Sequence, residues 1–118
     1  MQSGAAAEGP ARPDGGSAHA PVRFDRTELT TILTIYGRKV AQGEWRDYAM
    51  DFTREKAVFS VFRRTSEYPL YRIEKDPKLA RRQGQYSVVA PGGMILKRGH
   101  DLLQVLRVLI REPKLETV

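Results

Sequence analysis

Apolar residues recur with a helical period at both ends of this chain and with a strand period between them. Leu29, Ile32, Leu33, Tyr36 and Val40 step by three, one, three and four, which places them along one face of a helix. Asp25 and Glu28 precede that run with the spacing of a capping box, and Phe24 and Leu29 occupy the staple positions around it. Gly43 is a suitable stop. The spacing therefore predicts a helix from about Arg26 to Gln42.

From Trp45 the period becomes two. Tyr48, Met50 and Phe52 alternate with Ala49 and Asp51 and predict a first strand, followed by a hairpin turn over Thr53 to Lys56. Ala57 to Arg64 is apolar on both faces, as expected of an interior strand partly covered on each side. Pro69 interrupts. Leu70 to Lys75 reads as the third strand, with Tyr71 and Ile73 on one face and Arg72 and Glu74 on the other. Asp76 to Gly84 is a basic loop. Gln85 to Ala90 and Met94 to Arg98 form two more strands around the turn residues Pro91, Gly92 and Gly93.

The final element repeats the first. Asp101 and Gln104 form a second capping box, and Leu102, Leu103, Val105, Leu106, Leu109 and Ile110 supply an apolar stripe that Pro113 ends. The predicted fold is α+β: an N-terminal helix, an antiparallel five-strand meander, and a C-terminal helix packed on the sheet. Residues 1–22, rich in Gly, Ala, Pro and Ser without apolar period, read as a disordered tail. The single domain is expected over 23–113, with 114–118 a short C-terminal tail.

Composition narrows the chemistry. The 118 residues suit one domain, and an apolar share of 41 % with 29 % charged suits a globular one. Cysteine is absent, so disulfides, thiolate nucleophiles and thiolate metal sites are excluded together. No apolar run approaches the ~20 residues a membrane helix needs, and no signal-peptide pattern opens the chain. The expected location is the cytoplasm. No nucleophile elbow, Walker loop or dinucleotide glycine fingerprint occurs. His100 beside Asp101 reads as a residue at a helix start, and Glu44 and Asp47 as the bounds of a loop. Neither a metal site nor a cofactor is expected, and neither is an enzyme.

Charge carries the one functional signal. Residues 54–98 hold eleven Lys and Arg against four Asp and Glu, a local net of +7 within a chain of net +6. Arg63 and Arg64 end one strand, Arg72 and Lys75 lie on the next, and Lys78, Arg81 and Arg82 line the loop, interleaved with Tyr68, Tyr71 and Tyr86. Cations that track phosphates and rings that stack on bases are what single-stranded nucleic acid requires. A second candidate is a phosphate site at Lys97, Arg98 and Gly99 before the last helix, although Asp101 competes for the same amides.

Several segments carry a resemblance. They are Tyr36-Gly37-Arg38, Gly43 through Tyr48, Ala57 through Arg64, Pro69 through Lys75, Pro77 through Gly84, Tyr86 through Gly93, and Lys97 through Leu102. Together they resemble a family of short alphaproteobacterial proteins known as a domain of unknown function, over Phe24 to about Arg111. The resemblance implies a bacterial cytoplasmic protein and carries no site residues with it. In architecture alone, a meander followed by a helix is similar to single-strand-binding domains of the transcriptional coactivator PC-four and Whirly type, which often dimerise through the helix.

The functional expectation is non-enzymatic binding of single-stranded DNA or RNA through a basic-aromatic sheet and loop surface. The alternative is a protein-interaction module, homodimeric through the rich stripe of the last helix, that docks an acidic partner.

Overall fold

The computed structural model describes residues 20–64 and 68–110. Helix α1 spans Arg26–Ala41. Strands β1 (Asp47–Phe52), β2 (Ala57–Phe62), β3 (Tyr71–Lys75), β4 (Tyr86–Val89) and β5 (Ile95–Gly99) follow, and helix α2 spans Leu102–Ile110. The five strands pair antiparallel in sequence order, so β3 is central and β1 and β5 are the edges. This is the α+β meander that the alternating periods predict. The expected tail over most of 1–22, the Pro113 stop and the tail 114–118 lie outside the described residues.

Capping fixes both helix starts. Glu28 N–H donates to Asp25 Oδ1 at 2.8 Å while Asp25 N–H donates to Glu28 Oε1 at 2.7 Å, so the first box is closed in both directions. Asp101 Oδ1 accepts from Gln104 N–H at 3.3 Å and opens α2. Gly43 ends the region of α1 at φ +77, a left-handed conformation that favours glycine.

Both helices lie on one face of the sheet. The register aligns Phe59 with Ile73 and Ile73 with Val88, and these side chains are buried with Ile32 and Ile35 of α1 and Leu102, Val105, Leu106 and Leu109 of α2. Trp45, in the link from α1 to β1, is buried with them. The interior pattern of β2 is as expected: Ala57, Phe59 and Val61 are buried, and Val58, Ser60 and Phe62 on the other face are half-buried.

Helix α1 is rotated from its predicted orientation. Its buried positions are Glu28, Ile32, Ile35 and Lys39. The predicted stripe of Leu29, Ile32, Leu33, Tyr36 and Val40 is centred about a quarter turn round the helix from these, and Ile32 is common to both sets. Leu29 and Tyr36 pack against the margin of the core, while Leu33 and Val40 are exposed. Polar partners explain the rotation. Glu28 Oε1 accepts from Lys75 Nζ at 2.8 Å, and its Oε2 accepts the Tyr86 hydroxyl. Lys39 Nζ donates to Glu44 Oε1 at 3.1 Å and lies 5.9 Å from the centre of the Trp45 ring. A buried charge is tolerated only with such partners, and here they draw two charged residues under the helix.

Candidate functional site

A meander alternates its connections between the two ends of the sheet, and this divides the basic residues. The β2–β3 connection, with Arg63, Arg64 and Tyr68, shares one end with the Pro91–Gly93 turn between β4 and β5. The β1–β2 hairpin and the β3–β4 loop, with Arg54, Lys78, Arg81 and Arg82, lie at the other end. The four steps of β3 from Tyr71 to Lys75 alone separate the ends by about 13 Å. The expected single positive surface is therefore two clusters.

Acidic partners thin the set further. Glu74, on the face of the sheet away from the helices, accepts from Arg72 Nε at 3.2 Å and from Lys56 Nζ at 3.0 Å. Lys75 points the other way, to Glu28 and to the Arg23 carbonyl at 2.9 Å, and is largely buried. Its alternation with Arg72 along β3 forces that separation. Lys75 thus belongs to the core network and not to a surface. Lys78 Nζ meets Glu55 Oε1 at 3.3 Å between two exposed side chains. Arg63, Arg64, Arg81 and Arg82 are exposed.

The tyrosines separate as well. Tyr71 shares the face of Ile73, as expected, and packs half-buried against the core. Tyr86 is buried, and its phenol is pushed well above the ordinary tyrosine range by burial, by its hydrogen bond to Glu28 and by that residue's charge. Tyr68 is 89 % exposed. Its ring borders a cleft of about 280 Å³ lined by Tyr68, Pro69, Arg72, Pro91 and Gly92. Two prolines with fixed φ give that cleft stiff walls, and Glu74 holds the Arg72 Nε, which orients the guanidinium plane. Gly92, at φ +89, lets the β4–β5 turn bend where it lines the cleft.

The site that geometry assembles is thus Tyr68 with Arg72; Arg63 and Arg64 lie at the same end of the sheet. In the sequence Pro91 and Gly92 mark only a turn; their approach to Tyr68 depends on β3 and β4 being paired, which no local signal carries. The candidate phosphate site is built otherwise. Lys97 is exposed and Arg98 lies opposite Ser87, while Gly99 packs against Gly84 and Val105. Asp101 occupies the amide at the start of α2. Gly99 is therefore accounted for by close packing.

A second hollow, of about 390 Å³, runs between α1 and α2 and is lined in part by Thr30, Thr34, Arg38, Leu103 and Arg107. The threonines face into it because Glu28 and Lys39 turn the helix. Among the described residues no group of three His, Asp or Glu comes together that could hold a metal ion, and no helix is long and apolar enough to cross a membrane.

The model of one protein family, described as "Protein of unknown function (DUF2794)", matches residues 22–106, which contain β1 to β5, all of α1 and the first half of α2. The chain belongs to the DUF2794 family. Every residue of the Tyr68 cleft falls inside the matched span, as do both basic clusters. No curated protein and no solved structure matches the chain.

Proposed function

We propose that this member of the DUF2794 family is a non-enzymatic module that binds single-stranded DNA or RNA at the β2–β3 end of its sheet. Tyr68 stacks on a base, Arg72 holds the adjoining phosphate, and Arg63 and Arg64 hold phosphates further along. The reading rests on one observation above the others: an almost fully exposed tyrosine ring stands at a proline-walled cleft beside an oriented arginine. A ring kept in water gains nothing from the fold, whereas stacking on one base is worth about 1–3 kcal/mol. Arg72 retains donors beyond the Nε that Glu74 holds, and a guanidinium has five in all. The second cluster, Lys78, Arg81 and Arg82, contributes long-range attraction without touching the stacked base. The absence of cysteine fits a cytoplasmic setting for this activity.

Fluorescence anisotropy with a labelled single-stranded oligonucleotide at two salt concentrations tests the proposal. Two or three neutralised phosphates predict a slope of log affinity against log salt of about −1.4 to −2.1, at roughly −0.7 per phosphate. Absence of binding at low salt ends the reading.

A further inference from the structure

The rotation of α1 leaves an apolar surface that nothing in the described fold covers. Leu33 and Val40 are exposed on the flank of α1 that carries Tyr36, the residue whose ring meets Tyr48 of β1. Tyr48 and Met50 of β1 lie on the same face of the sheet, opposite the buried Val61 and Phe59, and Tyr48 stacks on Phe59 with ring centres 4.8 Å apart. Tyr36 bridges helix and strand, its ring centre 5.0 Å from that of Tyr48. Leu33, Val40, Tyr48 and Met50 are each 37–41 % exposed, so four large apolar side chains share one open flank. Isolated exposed apolar residues are ordinary, but a contiguous set beside a strand edge marks a contact surface.

The two edges of the sheet differ. Strand β5 is blunted by a register shift at Val88/Val89 and by Lys97 within the strand, and it follows Pro91. Strand β1 has no bulge, no proline and no lysine; its charges are Asp47 and Asp51, and only its far end is met by the chain's own start, where Val22 N–H donates to the Thr53 carbonyl at 2.7 Å. An edge with so little blunting is a template for pairing with another strand. The hairpin bond from Thr53 N–H to the Lys56 carbonyl puts the β1–β2 ladder bonds on odd-numbered residues of β1, so Tyr48, Met50 and Phe52 direct their peptide groups outward.

We propose that β1 pairs antiparallel with β1 of a second copy of this chain, centred on Met50, joining two five-stranded sheets into one of ten strands. The sequence of β1 is self-complementary in that register. Met50 faces its counterpart, Tyr48 faces Phe52, and Asp51 faces Ala49, so no two carboxylates are opposed. Centring on Ala49 instead would set Asp47 against Asp51. Leu33 and Val40 of each α1 then flank the joined strands and cover the apolar row. The Asp47 carboxylate, which now accepts the outward Tyr48 N–H at 2.8 Å, yields that donor to a carbonyl of the second copy.

The interface is separate from the Tyr68 cleft, so oligonucleotide binding and dimerisation fail independently. The chain's lack of cysteine supplies the test. A Met50→Cys variant, oxidised in solution, is expected to form a covalent dimer in high yield, while Leu103→Cys, exposed on α2, stays monomeric on the same treatment. Sedimentation is expected to show a reversible dimer for the unmodified chain and a monomer for Met50→Lys, with helix and sheet content retained. A monomer at every concentration, or a dimer that Met50→Lys leaves intact, overturns the proposal.

Discussion

Glu28 accepts the Tyr86 hydroxyl across the core, tying the first turn of α1 to the start of β4. The same carboxylate holds Lys75 at 2.8 Å and closes the capping box with Asp25. One side chain therefore joins helix start, central strand and β4. Removing it strands the largely buried Lys75 ammonium, so Glu28→Ala is expected to cost about 3–5 kcal/mol in urea unfolding. Tyr86→Phe removes one hydrogen bond to a carboxylate that keeps other partners and should cost about 1.5–3 kcal/mol.

The same contact gives a direction with pH. Tyr86 ionises above the ordinary tyrosine range in the folded chain because of burial and the Glu28 charge, whereas an unfolded tyrosine ionises near its usual value of about 10. Above that value the unfolded chain releases a proton that the folded chain keeps. Stability conferred by the neutral phenol is thus complete below about pH 10 and declines as pH rises beyond it. Tyr36 is raised in the same direction, by burial first and then by the Asp47 charge. Unfolding midpoints followed upward from pH 9 should fall, and Tyr86→Phe should flatten the decline.

Two glycines with positive φ are expected to respond differently to alanine. Gly84 has φ +104, and a Cβ there would lie 2.2 Å from the Gly99 carbonyl carbon, backbone against backbone. Gly84→Ala should lose about 3 kcal/mol or more, since strain and collision act together. Gly43 has φ +77 with nothing within 4 Å. Gly43→Ala should cost only the left-handed conformation, about 1–2 kcal/mol. Thermal melts of the two variants side by side check the contrast.

The architecture was legible because each element has a local signature: the Asp25 and Asp101 caps, the alternation from Tyr48 to Phe52, and the turn at Pro91 to Gly93 are all short-range. The orientation of α1 was not. Its apolar period points to Leu33 and Val40, but Glu28 and Lys39 find Tyr86, Lys75 and Glu44 as partners, and those partners become visible only when the chain is folded. The last helix shows the converse: Leu102, Val105, Leu106 and Leu109 are buried against the sheet and its neighbours, and Leu103 alone of the predicted stripe is strongly exposed. Apart from Leu103, that stripe packs within the molecule. The charge excess was legible as a count, yet its division into two ends follows from meander topology, and its reduction follows from Glu28, Glu55 and Glu74.

That division yields a prediction about the basic loop. Arg81 and Arg82 stand at the end of the sheet away from Tyr68. Replacing both by alanine should slow association with an oligonucleotide, most visibly at low salt, and leave the dissociation rate nearly unchanged. Stopped-flow association and dissociation traces separate the two effects.

Tyr68 carries the proposed stacking contact, and its exposed ring contributes little to the fold. The direct measurement is the affinity of Tyr68→Ala for a labelled single-stranded oligonucleotide, set beside the unmodified chain at one salt concentration with thermal stability recorded for both. The predicted result is a loss of about 5- to 150-fold, the equivalent of about 1–3 kcal/mol of base stacking, with the melting temperature unchanged. Equal affinity for the two chains would contradict the account.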